Sequence, residues 1–134
     1  MRCFDETLRF ALHKQIEQIA AKAAAEFGCK CEVNILHGYP VLVNDASVTS
    51  EAKAATAEIL GEAAAIDVLQ RMGSEDFAFY THHVAACFFR LGVGNAALGI
   101  TSAIHTSTFN IDEEALKHSV ASMSWMAVKL SKLA

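Results

Sequence analysis

The chain has 134 residues, of which 53% are hydrophobic and 19% are charged, with one proline and a formal net charge of −4. That is about one globular domain, apolar for its size, and the excess has two ordinary causes: a well-filled core, or surface that meets another domain or subunit. The lysine and arginine residues form no basic run and no apolar stretch reaches about 20 residues, which excludes a nucleic-acid-binding surface and a membrane span.

The first predicted helix follows Asp5, a good N-cap, and ends at Gly28. Its apolar residues recur at steps of three and four, so they predict one buried face, made of Leu8, Leu12, Ile16, Ile19, Ala23 and Phe27. His13 lies among charged neighbours and is predicted to be solvated. The alternation over 31–37 then predicts a half-buried strand with His37 on its apolar side, and a short extended piece at 2–4 precedes the helix.

The middle of the chain predicts a second helix from Val48 to Leu60, which Gly61 ends. Two short apolar runs, 64–69 and 86–91, predict buried strands. Between them, Ser74 is predicted to cap a short helix that runs through Tyr80.

The last predicted helix is capped by Asp112 and carries Glu113 and Glu114 in its first turn. Its predicted core face consists of Leu116, Val120, Met123, Ala127, Leu130 and Leu133. The order of elements predicts an α/β fold. Each half nevertheless supplies only part of a sheet layer, and such a part rarely stands alone.

Two clusters could carry chemistry, and the first is Ser74-Glu75-Asp76. These residues follow the turn at Met72-Gly73 and stand at the start of a predicted helix. They could direct polar groups into a cleft. The ordinary interpretation is helix capping with acidic residues near the positive end of the helix dipole.

The second cluster is His105-Thr106, which follows a glycine-containing loop and precedes the helix capped by Asp112. In α/β proteins, binding groups occupy such loop ends. Neutral imidazole is the commonest metal ligand, and a nearby Thr or Asp could orient its second nitrogen. The alternative is a hydrogen-bonded loop histidine without a ligand.

The remaining candidates favour structural roles. His82-His83 ends the short helix, where imidazolium suits the negative helix terminus, and His118 is predicted to be solvated in the last helix. Cys29 and Cys31 are one residue apart, which is not the spacing of a zinc knuckle, so reduced, partly buried thiols are the preferred interpretation. The sequence contains neither a nucleophile elbow nor a phosphate loop.

The two clusters, in order, resemble the C-terminal signature of the N-acyl-amino-acid amidohydrolases. This branch of the aminoacylase–carboxypeptidase superfamily includes hippurate hydrolases, bacterial aminoacylases and plant indole-acetyl-amino-acid hydrolases. The segments that carry the resemblance are 72–80, 88–92, His105-Thr106 and 109–113, with the start at Met1–Asp5, Arg9, Gly38-Tyr39-Pro40 and Asn44 on the N-terminal side. Two departures are Ser107, where the family usually has proline, and Val84-Ala85-Ala86, where Pro-Gly is common.

The resemblance implies a zinc-peptidase-like α/β catalytic domain interrupted by an α+β lid that mediates dimerisation. Residues 1–43 would be the tail of the lid and residues 44–134 the C-terminal part of the catalytic domain. By resemblance His105 would hold one of two divalent metals, which could be Zn, Mn, Co or Ni. Ser74, Glu75, Asp76 and Thr106 would line the substrate cleft.

The family's other metal ligands, its glutamate general base and its lid histidine have no counterpart in this sequence. The expectation is therefore a C-terminal fragment of an enzyme that cleaves N-acyl or N-aroyl amino acids, or small peptides, with metal-activated water. Alone it would have no catalytic residue, no hydrolytic activity and at most a weakly bound metal. The alternative is a non-catalytic remnant or interaction module that folds by homo-oligomerisation. The first five residues lack the layout of a secretory signal, so the expected location is the cytoplasm.

Overall fold

The computed structural model describes residues 1–131, which form four α-helices in two compact units. Unit 1 consists of Met1–Val43 and Leu69–Val84. Unit 2 consists of Asn44–Val68 and the described residues from Ala85 onwards. The chain therefore leaves unit 1 after Val43, returns to it at Leu69 and leaves it again after Val84.

In unit 1, helix α1 spans Glu6–Glu26 and begins and ends where the sequence predicts. The Asp5 carboxylate accepts a hydrogen bond of 2.7 Å from the backbone N–H of Leu8, which makes Asp5 the N-cap. At the other end, the N–H groups of Gly28 and Cys29 donate to carbonyls of the last turn, the Schellman arrangement. Gly28 adopts a φ of +65°, which glycine tolerates without steric cost.

The predicted buried face of α1 is wrong, because its large apolar side chains are exposed. Ile19 is 67% exposed and Phe27 is 83% exposed, whereas the buried residues of the helix are Arg9 and His13. The neighbour of α1 in unit 1 is the extended segment 37–41, which meets the helix on its polar side. The partner thus decides which face is covered, and the apolar face lies open among the described residues.

A group of hydrogen bonds centred on Glu6, the Glu6 clasp, joins α1 to the extended segment 37–41, which in turn contacts His82. The backbone N–H of Val41 donates to Glu6 Oε1 at 2.7 Å, and the carbonyl of Val41 lies 2.8 Å from His82 Nε2. Arg9 Nε donates to the second carboxylate oxygen of Glu6 at 3.0 Å. One glutamate therefore holds both a guanidinium and a backbone amide, so neither is left unpaired.

The acidic motif, Ser74-Glu75-Asp76, lies in unit 1, and the helix that follows it is shorter than predicted. Helix α3 spans Ala78–Thr81, and no side chain caps it, so the prediction that Ser74 is the cap is wrong. The nearest substitute is Glu75, whose Oε1 lies 3.4 Å from the backbone N–H of Phe77, a weak contact. Ala78 is fully buried and anchors this turn in unit 1.

In unit 2, helix α2 spans Ala46–Leu60, in agreement with the prediction. The Asp45 carboxylate accepts hydrogen bonds from the backbone N–H of Val48 at 2.9 Å and from the Ser47 hydroxyl at 2.6 Å. These bonds lower the pKa of Asp45, the hydroxyl bond most strongly, although burial opposes the change. Gly61 ends the helix with a φ of +88°.

Helix α4 spans Glu114–Leu130 and packs against α2. The N-cap is Glu113, one residue after the predicted Asp112, and its side chain makes no capping bond. Asp112 Oδ1 nevertheless accepts from the N–H of Glu114 at 3.1 Å and so serves the first turn. The core of unit 2 consists of Ala52, Ala55 and Met126, with Cys87 and Trp125 packed against it. Alanines on α2 let the two helices approach closely.

Hydrogen bonds to Glu58 also join this helix pair. The Glu58 carboxylate on α2 accepts hydrogen bonds from Trp125 Nε1 at 2.7 Å and from Lys129 Nζ at 2.6 Å, both on α4. The Lys129 ammonium also lies 5.3 Å from the centroid of the Trp125 ring. The carboxylate thus ties the two helices together beside their alanine-lined contact.

The predicted core face of α4 is also wrong. Val120 is 68% exposed, and Leu116 and Met123 are each more than half exposed, while Ala115, Ser122 and Met126 are buried; Leu133 lies outside the described residues. The side of α4 that carries the buried residues packs against the alanines of α2. The apolar stripe made of Leu116, Val120 and Met123 therefore stays uncovered. Within residues 1–131, no helix is both long enough and apolar enough to cross a membrane.

The predicted strands are not present among residues 1–131, whose only β contact is an isolated antiparallel bridge between Asn95 and Ile100. Segments 2–4, 31–37 and 86–91 form no strand, and 64–69 follows a 3-10 turn at Glu62–Ala64. A β-strand exists only where a neighbouring strand satisfies its amides and carbonyls. The α/β expectation therefore fails for the described residues, whose regular structure is helical.

One of these extended segments has a side chain as a substitute for a neighbouring strand. The Asn44 amide donates to the Phe88 carbonyl at 2.9 Å and accepts from the Phe88 N–H at 2.8 Å. Next to it, the backbone N–H of Asp45 donates to the carbonyl of Ala86 at 2.9 Å. Asn44 therefore imitates one rung of a β-ladder and fixes the segment that the sequence predicts as a strand.

The Glu6 clasp predicts that the stability of the protein declines under acid. The pKa of Glu6 lies below its usual value, chiefly because the Arg9 side chain donates to the carboxylate, while burial opposes the shift. On acidification the unfolded chain is protonated first. The contribution is therefore complete above the unfolded pKa of about 4.3 and is lost as the pH falls through the lower folded pKa.

Urea denaturation of the wild type and of Glu6→Gln between pH 3 and pH 7 tests this. We expect Glu6→Gln to lower the free energy of unfolding by about 1–2 kcal/mol at pH 7, with the difference shrinking towards pH 3. Glu51→Gln, at an exposed position of α2, is the control. A difference that does not change with pH would contradict the clasp.

Candidate functional site

The strongest sequence candidate, His105, lies in unit 2 in an unusual backbone conformation. Its φ is +66°, in the left-handed region, and it is the one non-glycine residue with a positive φ among the described residues. Its side chain is exposed. Non-glycine residues adopt this conformation rarely, although histidine does so more readily than most, and strained residues cluster at functional sites.

Hydrogen bonds within the loop hold the turn around His105. The Thr106 hydroxyl donates to the carbonyl of Ala103 at 2.8 Å, and the N–H of Phe109 donates to the carbonyl of Thr106 at 3.2 Å. The hydroxyls of Ser102 and Thr108 lie 2.9 Å apart, on either side of His105 in the sequence. The imidazole of His105 is exposed, and the Thr106 hydroxyl stabilises the backbone of the turn through its bond to Ala103.

The same loop is anchored at its base by Asp112. The backbone N–H of Asp112 donates to the carbonyl of Val93 at 2.8 Å, and its carboxylate accepts from the Asn95 amide at 2.8 Å. This amide lowers the pKa of Asp112, and the bond from the Glu114 N–H lowers it further. Asn95 in turn exchanges two backbone hydrogen bonds of 2.9 Å with Ile100. His105 therefore stands on a loop whose two ends are fixed.

The other predicted cleft residues, Ser74, Glu75 and Asp76, belong to unit 1. Ser74 and Asp76 are exposed and Glu75 is half-buried. The carbonyls of Glu75 and Asp76 accept from the backbone of α3 at 3.2 Å and 3.0 Å. Their side chains are thus free of helix capping, apart from the weak contact of Glu75, and the motif offers a carboxylate to solvent.

The predicted site residues divide between the two units. Ser74, Glu75 and Asp76 are together in unit 1, and His105 and Thr106 are together in unit 2. Among residues 1–131, no group of three or more His, Cys, Asp or Glu side chains is arranged to hold a metal ion. All four cysteines are free; Cys29 and Cys31 are exposed, and Cys3 and Cys87 are half-buried.

Two further histidine predictions are wrong, and together they reveal a feature that the sequence analysis missed. His13 is buried, at 8% exposure, rather than solvated, and His37 is exposed rather than in the core. Their ring centroids lie 5.0 Å apart, and Phe10 flanks both rings. A sequence signal for this contact did exist. Glu6, Arg9 and His13 recur at steps of three and four, which places them on one side of α1, and this polar side is the one that the segment 37–41 covers.

The remaining histidines agree with expectation. His118 is exposed on α4. His82 is the C-cap residue of α3, as the predicted helix end requires, although its ring contacts the carbonyl of Val41.

The sequence is similar to one known family and to several curated proteins. The sequence model described as peptidase family M20/M25/M40 matches residues 6–128, and no solved structure gives a significant match. Similar curated proteins include an IAA-amino acid hydrolase (ILR1-like 6) of Arabidopsis thaliana, 32% identical over 86% of this chain and 26% of the relative. A protein of Synechocystis sp. described as a "probable hydrolase" is 34% identical over 87% of this chain and 30% of the relative.

A third relative is thermostable carboxypeptidase 2 of Saccharolobus solfataricus, 27% identical over 98% of this chain and 33% of the relative. The chain thus spans about a quarter to a third of the length of the curated relatives that it matches. The family match covers both units, including the acidic motif and the His105 turn. The chain belongs to the peptidase family M20/M25/M40 and resembles the hydrolases of that family.

Proposed function

We propose that this chain is the C-terminal portion of a dinuclear-metal amidohydrolase that cleaves N-acyl or N-aroyl amino acids, and that alone it is inactive. In this proposal residues 1–43 are the tail of the lid and residues 44–134 belong to the catalytic domain. The amino acid conjugate named for the Arabidopsis relative supports this substrate class. The family is one of generally metal-dependent hydrolases with a zinc-peptidase-like fold.

The conformation of His105 is the observation that carries the proposal. An exposed histidine at a φ of +66° brings the backbone a conformational cost and forms no core contact that offsets it. The loop nevertheless holds it there through Thr106 at the turn and Asp112 at the base. A fixed, outward imidazole is what a metal ligand requires.

The donor set fits a contribution of one ligand and does not fit a complete metal centre. His105 offers one imidazole nitrogen, and no group of three or more His, Cys, Asp or Glu side chains among the described residues is arranged to hold a metal ion. When bound, two divalent ions would supply an activated water to the amide carbonyl. The role of this chain is to position His105; the other ligands and the general base would come from sequence that this chain lacks.

The acidic motif would contribute polar lining rather than chemistry. Ser74 and Asp76 are exposed, and the Glu75 carboxylate has only the weak contact with the Phe77 N–H. These groups are available to a polar substrate or to other residues of the enzyme. Thr106 would act by holding the turn, since its hydroxyl donates to the Ala103 carbonyl.

The open apolar faces support the assignment to a larger protein. The uncovered stripe of α1, with Ile16 and Ile19, and that of α4, with Val120 and Met123, are wide enough to be core faces. No described side chain of large volume is fully buried. In the proposed enzyme, the remaining sequence would supply the covering surfaces and the strand partners. The relatives, of which this chain covers 26–33%, are long enough to contain such sequence.

We predict that the purified chain does not hydrolyse hippurate with added Mn²⁺, Zn²⁺ or Co²⁺, because one ligand does not hold a catalytic pair of ions. The measurement is release of glycine over hours at micromolar protein. The His105→Ala variant is the control for contaminating activity. Robust turnover that disappears in His105→Ala would overturn the claim that the chain is incomplete.

We also predict that His105→Gly stabilises the isolated chain. Glycine adopts the left-handed conformation freely, and this relief of strain outweighs the greater entropy of the unfolded glycine variant. The net free energy of unfolding should therefore rise by about 0.5–1 kcal/mol. His105→Ala keeps the conformational cost and serves as the matched control. Equal stability of the Gly and Ala variants would show that the turn imposes no strain and would remove the main support for His105.

A second candidate function is a non-catalytic module that folds by homo-oligomerisation. The same open faces of α1 and α4 favour it, since a second copy could cover them. Both proposals keep the chain in the same family. In the first, the rest of the enzyme covers the apolar faces, and in the second, another copy of this chain covers them. The two are separated by the behaviour of the purified chain.

If the chain pairs with itself, light scattering should give a dimer or larger species that persists to about micromolar concentration. Val120→Glu places a charge on the exposed stripe of α4 and should shift the chain towards the monomer. Glu51→Lys, at an exposed position of α2, is the control for changed charge. A monomer at millimolar concentration would exclude the oligomeric module.

A further inference from the structure

Unit 1 brings two imidazole rings side by side. His13 stands in the middle of α1 and His37 on the extended segment that lies against the helix. Their centroids are 5.0 Å apart with the planes tilted by 57°. The Phe10 ring lies 5.4 Å from His37 and 6.0 Å from His13, so the pair has an aromatic wall on one side.

His13 is buried with an unpaired nitrogen. The residue is 8% exposed, and its Nδ1 has no hydrogen-bond partner among the described residues. Leaving such a group unpaired destabilises the folded state, and a bound ion or water is the usual explanation. His37 is exposed, so its ring can turn without unfolding the helix.

The separation of the rings matches that of two imidazoles on one metal ion. With metal–nitrogen bonds of about 2.0–2.1 Å and a tetrahedral angle, the two ring centroids lie about 5 Å apart. A stacked pair of aromatic rings could also have this separation. The buried Nδ1 of His13 favours a bound ion, because stacking alone would leave this nitrogen without a partner.

The surroundings of the pair favour the neutral form of His13. Burial lowers the pKa of His13 most strongly, and the charges of His37, Arg9 and the N-terminus lower it further, while Glu17 opposes them. The neutral ring is the ligand form. The Arg9 guanidinium hydrogen-bonds to Glu6 and lies 4.9 Å from the Phe10 centroid. Glu17 is one helical turn from His13, where a carboxylate favours a cation.

We propose that His13 and His37 bind one borderline transition-metal ion of the Zn²⁺, Cu²⁺ or Ni²⁺ class, with water completing the coordination. Imidazole ligands select these ions over Mg²⁺ and Ca²⁺. The site ties the extended segment to α1 and gives the buried Nδ1 a partner. It uses no residue of the His105 turn, so it stands or falls independently of the proposed enzymatic function.

Calorimetric titration of the full chain with Zn²⁺ tests the proposal. His37→Ala, at an exposed position, and His13→Asn should each weaken the tightest binding step by at least about tenfold. His118→Ala removes another exposed histidine and should leave that step unchanged. His105→Ala should do the same, which separates this site from the proposed catalytic ligand. Mg²⁺ should give no comparable heat.

A second measurement covers the case in which His13→Asn fails to fold. Substoichiometric Cu²⁺ should broaden the imidazole Cε1–H signals of His13 and His37 before those of the other histidines. Wild-type affinity in His37→Ala, an equal loss in His118→Ala, or first broadening at another histidine would each overturn the proposal. In those cases, water is the partner of the buried nitrogen.

Discussion

An apolar helix face contributes to stability only when another surface covers it, and this constraint governs the whole chain. In unit 2 the constraint is met once, where the alanines of α2 meet Met126 and Trp125 on α4. Elsewhere the large side chains of α1 and α4 remain exposed, including Phe27 and Val120. Burying one such side chain is worth about 1.5–3 kcal/mol, so several uncovered faces represent much unused stabilisation.

Backbone hydrogen bonding obeys the same logic. Helices satisfy most of their amides internally, so their backbone needs no neighbouring strand. Strands depend on one, and the extended segments of the described residues have none, so side chains act instead: Asn44 holds the backbone of Phe88, and Glu6 holds the amide of Val41. These polar substitutes fix single residues. A sheet would fix the whole segment.

The candidate groups reflect this arrangement. His105 stands on a loop whose ends are tied by Asp112 and by the Asn95–Ile100 bridge, so its local geometry is independent of a complete sheet. The polar side of α1 has a different origin: because the extended segment meets that side, Arg9 and His13 are buried and His37 comes beside His13. One site rests on a local turn, the other on a tertiary contact.

The sequence by itself determined what local rules control. Asp5 and Asp45 capped their helices, Gly28 and Gly61 ended two of them, and the ordered motifs identified the family. Tertiary structure alone decided which helix faces are covered, whether 31–37 and 86–91 form strands, and that His13 is buried beside His37. Caps and glycines act within one turn, whereas burial and strand pairing depend on a partner that periodicity cannot supply.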